Sequence, residues 1–548
     1  MLRGPSGRPW VDALLTSCLL LACGSEEDGA PSGGGGSSGA GTGGTAGIAG
    51  AAGSAGSSGV AGSPGGSAGT AGSAGSMGPT SCADETLPCV HIGSQPTGTV
   101  VHPHLFGTQI EKLEDGEGLW DPAAMTPHQD MVSALQPLGT SVLRYPSGTM
   151  ADHFHWAEAV GPVAGRTPQI NPFVSTEDDI VTYIPVVGPD EAAELAAAVG
   201  WDLQLVANVG TGTPGELAAW LEHYKQNGTD VAYVEVGNEV YADGDGYIAA
   251  LQRKSAAEYA TLYDQYATVA RTTYPNVRVG AIACHPYGAM DFCAEPNWND
   301  LVLGGITEPI DFVASHAAYG LSMQLDDDVD RAFRGLLASP DHVADNLANL
   351  RATMTANGLG PEVPIAVTEY ASFFLPGNPE LEKMIEQLER NMSLGSALHA
   401  ALLFNVFIAA DVQLANQLHT VEEWWQAMLF TTESNTGPGV VQAFGHVVRL
   451  YAEASHGSVL PSSVERVPTY DAESFGFDAP RADVDTLDAM AVRSADGLRT
   501  FVYVVNRSLT DEVETRVIGP AAAQIFVDEV HNDDIMAFNT LAEPDNVS

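Results

Sequence analysis

Positive charge is what this chain has least of. Over 548 residues, Lys and Arg together number 22 against 69 Asp and Glu, a formal net charge of −47. Phosphate backbones and anionic lipid surfaces are bound through clustered cations. This balance therefore argues against a nucleic-acid partner and against electrostatic docking on acidic membranes. An acidic surface keeps an exposed protein soluble and does not repel a neutral polymer. Cysteine is also sparse, at six residues. No pair has the two-residue spacing, backed by a second such pair, that a zinc site needs, so no metal is expected. No Gly-rich dinucleotide fingerprint follows the first strand-like run, which speaks against an open doubly wound sheet. Gly29 to Gly78 contains no charged and no aromatic residue. Such a stretch of Gly, Ser, Ala and Thr cannot bury enough apolar surface to fold, and it reads as a flexible tether.

What precedes the tether reads as an export signal. Arg3 and Arg8 supply a positive start, and Ala13 to Ala22 is apolar except for Thr16 and Ser17. The segment is too short for a bilayer-spanning helix. It ends in Leu20-Leu21-Ala22-Cys23-Gly24, which resembles the lipobox of bacterial lipoproteins. That resemblance implies cleavage before Cys23, a lipid on Cys23, and placement on the outer membrane or cell surface. The alternative is an ordinary cleavable signal. Contact with a membrane is expected only through this N-terminal lipid anchor. In an exported chain the neighbouring pairs Cys82 with Cys89 and Cys284 with Cys293 suggest two disulfides, with free or buried thiols as the other reading.

The body of the chain, 45% hydrophobic overall, alternates strand and helix signals. Strand-like runs are Leu105–Glu111, Ser141–Ser147, Leu203–Val209, Ala232–Glu239, Val277–Cys284, Ile310–Ala317, Val363–Glu369 and Val412–Asn416. Pro189-Asp190-Glu191 and Pro214-Gly215-Glu216 open helices, Ser255-Ala-Ala-Glu258 is a capping box, and Leu381 to Ala409 is helical. Eight such alternations predict an α/β fold, a (β/α)8 TIM barrel over residues 104–456. After residue 457 short strand-like runs, such as Ala489–Arg493 and Thr500–Val505, predict a C-terminal β-sandwich domain that is possibly truncated. Residues 80–103 supply strands that join it. Residues 1–23 are the signal and 24–79 the tether.

Two strand ends carry the chemistry. Ala232 to Tyr241 reads AYVEVGNEVY, and Val363 to Tyr370 reads VPIAVTEY. Each apolar run ends in a Glu, and in a TIM barrel that end is the active-site face. The other reading of each is a carboxylate that simply meets water. Two carboxylates at one barrel mouth are the minimum equipment for glycoside hydrolysis, in which an acid protonates the leaving oxygen and a carboxylate attacks the anomeric carbon. Glu239 is expected to be the acid/base, with Asn238 beside it to hold a sugar hydroxyl, and Glu369 the nucleophile. Arg144, in Leu143-Arg144-Tyr145-Pro146, is positioned to pair with Glu369 or to form a structural ion pair.

Several stretches, in order, resemble glycoside hydrolase family 51, the α-L-arabinofuranosidases of clan A. Phe106-Gly107 with Ile110-Glu111 resembles its opening strand, and Arg144-Tyr-Pro-Ser-Gly148 with His155-Trp156 and Gly161-Pro162 its second. Asn208-Val-Gly-Thr-Gly-Thr-Pro214, Val236-Gly-Asn-Glu239, Thr368-Glu369 and Phe404-Asn-Val-Phe407 continue the likeness, and the tail from Asp534 to Val547 completes it. The resemblance implies sugar contacts by Glu111, Arg144, Asn238, His316 and Tyr319, with His316 on the nucleophile side. It also implies a retaining mechanism that needs no metal or organic cofactor, and a polysaccharide or oligosaccharide substrate that loses α-L-arabinofuranosyl groups. Three departures stand out: Thr149 where the family has Asn, one extra residue in His316-Ala-Ala-Tyr319, and Tyr370 where the family prefers Trp. They leave open a clan A endoglucanase or xylosidase, or a carbohydrate-binding lipoprotein without catalysis. The oligomeric state is also open.

Overall fold

The structure is a computed structural model that describes residues 82, 87–110, 118–172, 175–242, 251–285, 292–322, 328–374, 381–430, 439–476 and 478–548. The signal, the tether, Cys23 and Glu111 lie outside the described residues.

Eight parallel strands close into a barrel: β1 Gly107–Gln109, β2 Val142–Tyr145, β3 Asp202–Ala207, β4 Tyr233–Val236, β5 Arg278–Ala283, β6 Phe312–Ser315, β7 Ile365–Phe374 and β8 Leu414–Gln417. Pairing of β8 with β1 and of β6 with β7 closes the ring. The strands are short and almost wholly buried, as a parallel sheet covered on its outer face by helices must be. Glycine allows the closure at β1. A Cβ on Gly107 would lie 2.2 Å from Asn416 Oδ1 and 2.6 Å from the Ala415 carbonyl oxygen on β8.

The covering helices start where the sequence supplies caps. They include α1 Pro189–Val199, α2 Pro214–Asn227, α3 Ala256–Thr273 and α4 Val329–Ala356. At α3, Ser255 Oγ accepts from the Glu258 amide and Glu258 Oε2 accepts from the Ser255 amide, a complete capping box. At α2, Thr213 Oγ1 accepts from the Glu216 amide and Pro214 follows it. The long apolar run after Leu381 is two helices, α5 Leu381–Met392 and α6 Leu394–Ala409. Ser393 sits between them in an extended conformation and caps the second, so its hydroxyl starts a new helix rather than continuing the first.

The C-terminal domain is built mostly of antiparallel pairs, with Cys89–Ile92 and Arg516–Ile518 paired in parallel. Ser458–Leu460, Leu487–Arg493 and Thr500–Asn506 form one sheet. Ser462–Glu465, Cys89–Ile92 and Arg516–Ile518 form another, in which the segment ahead of the barrel is the central strand. Val90 and Ile92 from one sheet pack on Leu460, Ala489 and Ala491 from the other, the interior of a β-sandwich. Cys82 is bonded to Cys89, and Cys284 to Cys293.

Candidate active site

β4 and β7 deliver the two strand-end carboxylates in different ways. β4 stops at Val236, and Gly237 turns the chain with φ at +82°, a conformation open to glycine at little cost. The turn is clamped by Asp152, whose carboxylate accepts from the amides of Val209 at 3.4 Å and Asn238 at 3.2 Å. Burial pushes Asp152 up to about 7. Glu239 follows, partly exposed at the barrel mouth. β7 does not end at Glu369. It runs on to Phe374, because Ala318–Ser322 pairs alongside its second half. The register between β7 and β8 shifts between Val367 and Tyr370. With this bulge both Thr368 and Glu369 find partners inside the barrel, whereas Tyr370 packs among Phe404, Phe407 and Phe444.

Arg144, fully buried on β2, joins the carboxylates. Its Nη1 donates to Glu369 Oε1 at 2.6 Å and to Gln109 Oε1 at 2.7 Å. Its Nη2 donates to Asn238 Oδ1 at 2.8 Å and to Glu235 Oε1 at 3.2 Å, and its Nε to Glu235 Oε2 at 2.8 Å. All five guanidinium donors are therefore used. Burial acts to raise the Glu235 carboxyl, but the charge of Arg144, the neighbouring His316 and the hydrogen bonds of Arg144 outweigh it and hold Glu235 down at about 2. Glu369 is lowered too. There burial is opposed by the charges of His316 and Arg144 and by the Tyr319 hydrogen bond. Arg144 in turn stays charged, because Glu235 and Glu369 offset its burial.

His316 and Tyr319 stand beside the pair. His316 Nδ1 lies 2.8 Å from Glu239 Oε1 and 3.7 Å from Glu369 Oε2. The nearest oxygens of the two carboxylates are therefore no farther apart than those two distances laid end to end. That limit falls at the lower edge of the roughly 6.5–9.5 Å separation of inverting glycosidases, and it accommodates the about 5–5.5 Å of retaining ones. Burial would lower His316, but the charge of Glu369 and the contacts to Glu235 and Glu239 raise it to about 10. Glu235 is 3.9 Å away, too far for a hydrogen bond, so it acts through its charge. Tyr319 donates to Glu369 Oε2 at 2.6 Å. The extra residue in His316-Ala-Ala-Tyr319 is taken up where β6 gives way to Ala318–Ser322, and the phenol still reaches the carboxylate.

Arg144, Asn238, Glu239, His316, Tyr319 and Glu369 thus meet at one barrel mouth. His316 stands within ion-pair distance of both Glu239 and Glu369. Glu235, Gln109, Gln204, Thr368 and Asn416 join the same polar interior and were missed by the sequence reading. Gln204 Nε2 donates to Glu235 Oε2 at 2.9 Å, Thr368 Oγ1 to Glu235 Oε1 at 2.9 Å, and Asn416 Nδ2 to Gln204 Oε1 at 2.8 Å. The signal was available. A lone Glu two residues inside an apolar strand, flanked by Val234 and Val236, belongs to a barrel interior if it is anywhere in the core. Asn238 Nδ2 and Gln109 Nε2 are buried without a hydrogen-bond partner among the described residues.

The chain is similar to several known proteins. Residues 368–548 match the α-L-arabinofuranosidase C-terminal domain. The chain is 27% identical over 491 residues to an intracellular exo-α-(1→5)-L-arabinofuranosidase of Streptomyces lividans, covering 82% of this chain and 69% of that protein. It is 25% identical over 493 residues to an exo-α-(1→6)-L-arabinofuranosidase of Bifidobacterium longum, covering 82% and 88%. Among solved structures, a family 51 α-L-arabinofuranosidase of Bifidobacterium longum shares the fold with a TM-score of 0.69 at 20% identity, over 85% of this chain and 95% of that one. The enzyme from Thermotoga petrophila gives 0.67 at 20% identity, over 84% and 94%. With its closed barrel, its C-terminal domain and these relatives taken together, the chain is a glycoside hydrolase whose residues 368–548 match the α-L-arabinofuranosidase C-terminal domain and whose fold is that of the family 51 structures.

Proposed function

We propose that this enzyme removes α-L-arabinofuranosyl groups from polysaccharide or oligosaccharide by double displacement. The observation that carries the proposal is the meeting of Glu239 and Glu369 on one nitrogen of His316, with Glu369 also held by Arg144 and Tyr319. In the first step Glu369, kept ionised by those donors, attacks the anomeric carbon. The bond from that carbon to the glycosidic oxygen breaks, and Glu239 gives the leaving oxygen its proton. In the second step Glu239 takes a proton from water, the water oxygen bonds to the anomeric carbon, and the ester to Glu369 breaks. Configuration is retained. His316 donates to Glu239 in its carboxylate form, the form that acts as base in the second step. We assign Asn238, whose Nδ2 has no partner among the described residues, to a sugar hydroxyl. The arabinofuranosyl preference is supported by the names of the relatives, two of which are exo-acting arabinofuranosidases.

The test is hydrolysis of a panel of aryl glycosides by the protein from about residue 80 onward, with product configuration followed by NMR. Release from the α-L-arabinofuranoside with retention, lost in Glu369→Ala, supports the proposal. Preference for a xyloside or a glucan keeps the chemistry and moves the substrate, with Thr149 the first position to examine. No hydrolysis of any glycoside or polysaccharide would sink it.

We further propose that the enzyme is exported and tethered through Cys23. Support comes from the apolar segment ending at Cys23, the uncharged tether behind it, and two disulfides, which persist in oxidising compartments. The Streptomyces relative is named intracellular, so export would set this chain apart from it. Cys23→Ala should move the protein from the membrane to the soluble fraction, and unchanged membrane association would rule the anchor out.

A further inference from the structure

Glu235 is costly where it stands. Its side chain is fully buried, and barrel interiors are ordinarily filled by branched apolar residues. Burying a carboxylate carries a desolvation penalty of several kcal/mol, and replacing a buried ion pair with apolar packing is often neutral or stabilising. Filling the barrel therefore does not account for it. Its contacts do. Glu235 grips the Nε and Nη2 edge of Arg144 with both oxygens, at 2.8 and 3.2 Å. A guanidinium is planar, so fixing one edge fixes the direction of the rest. Nη1 is then aimed at Glu369 and Gln109, and the remaining Nη2 hydrogen at Asn238. The same carboxylate accepts from Thr368, the residue before Glu369, at 2.9 Å, and so ties β4 to β7 beside the nucleophile. It also stands 3.9 Å from His316 Nε2, behind the ring whose other nitrogen touches Glu239.

We infer that Glu235 is a positioning residue for the hydrolysis: from inside the barrel it aims Arg144 at Glu369 and stands behind the His316 ring that lies between the two working carboxylates. The inference rests on the roles proposed above for Glu239 and Glu369. Among the described residues, the charged and titratable groups that face His316 include Glu235 and Glu239 from the β4 segment, Glu369 from β7, and His285 after β5, with Arg144 from β2 behind Glu235. Among the described residues, loss of Glu235 removes one of three carboxylates around that ring and the bidentate anchor of Arg144.

The experiment is Glu235→Gln in the protein from about residue 80 onward, read in two ways. Histidine-labelled protein without substrate gives the titration of His316 by NMR, and steady-state kinetics on an aryl α-L-arabinofuranoside give kcat and KM against pH. The expected result is a His316 titration moved down by about one pH unit or more. With it, kcat should fall about 10²-fold at little change in KM, as misaiming of a catalytic group produces. A wild-type His316 titration together with a wild-type pH profile would overturn the inference and leave Glu235 as a structural ion-pair member. If the wild-type enzyme cleaves no arabinofuranoside but the His316 signal still moves in the variant, the positioning role stands and the substrate proposal falls. If Glu235→Gln does not fold, Glu235→Asp keeps the charge but withdraws it by one methylene. His316 should then titrate as in wild type while kcat falls, and full activity in that variant would overturn the inference.

Discussion

Arg144 Nη1 lies 2.6 Å from Glu369 Oε1, and both groups are buried in the barrel. The charges of His316 and Arg144 hold the proposed nucleophile ionised, while four further hydrogen bonds hold Arg144 in place. A lysine at this position keeps the charge but not the fork. Arg144→Lys should lower kcat/KM at least ~10²-fold, because the ammonium cannot serve Glu235, Gln109, Asn238 and Glu369 together. Steady-state kinetics on a single aryl glycoside decide it. Wild-type kinetics in the variant would mean that charge alone suffices.

Glu239 and Glu369 should separate by their dependence on the leaving group. Glu239→Gln removes the proton donor, so a substrate whose phenol leaves without help should lose little and a poor leaving group about 10²- to 10⁴-fold. Comparison of dinitrophenyl with unsubstituted phenyl glycoside rates is the measurement. Equal losses on both would count against the acid role.

His316 makes stability depend on pH with a defined sign. Its folded-state value, raised to about 10, stands above the ordinary 6.5. A group raised on folding contributes stability that is complete below about pH 6.5 and is lost as pH climbs towards 10. Glu235 acts at the other end. Held down at about 2 from an ordinary 4.5, it contributes above about pH 4.5 and loses that contribution as pH falls. Thermal unfolding across pH should therefore show wild type and His316→Gln converging between about pH 6.5 and 10. A constant gap over that window would mean that the ring is not charged in the folded protein.

Gly237 should tolerate no side chain without loss. Its φ is +82°, and an added Cβ would lie 3.2 Å from the Val209 Cβ. Gly237→Ala should cost about 1–2 kcal/mol for the left-handed conformation alone. It should also lower kcat, because Asn238 and Glu239 follow directly on this turn. Denaturant unfolding and turnover measured on the same preparation test both parts, and an unaltered unfolding midpoint would show that the turn relaxes freely.

The barrel was legible because each strand is a short buried run set between capped helices, and eight such runs in the sequence coincide with the eight strands. The ends were less legible. Glu369 reads as a strand end, since a charge after apolar residues normally meets water. Here the strand continues, because Ala318–Ser322 lies alongside and pairs with Tyr370 to Phe374. Leu381 to Ala409 reads as one helix because apolar spacing persists through it. Ser393 divides it, since a hydroxyl that caps the next turn competes locally with helix continuation. Glu235 escaped notice for a related reason: a charge amid valines looks anomalous until a cation on a strand far away in sequence is brought against it.

The sequence by itself determined the strand and helix alternation, the glycine turn before Asn238 and Glu239, and the two carboxylates that end up at one mouth, because these depend on neighbours within a few residues. Only the tertiary structure decided that Arg144 from β2, Glu235 and Asn238 from the β4 segment, His316 from the end of β6 and Glu369 from β7 share a single set of hydrogen bonds. Closure of the barrel brings Arg144 against Glu369, 225 positions away, and in the low-polarity interior each buried charge is then held by the other charges and by neighbouring polar side chains.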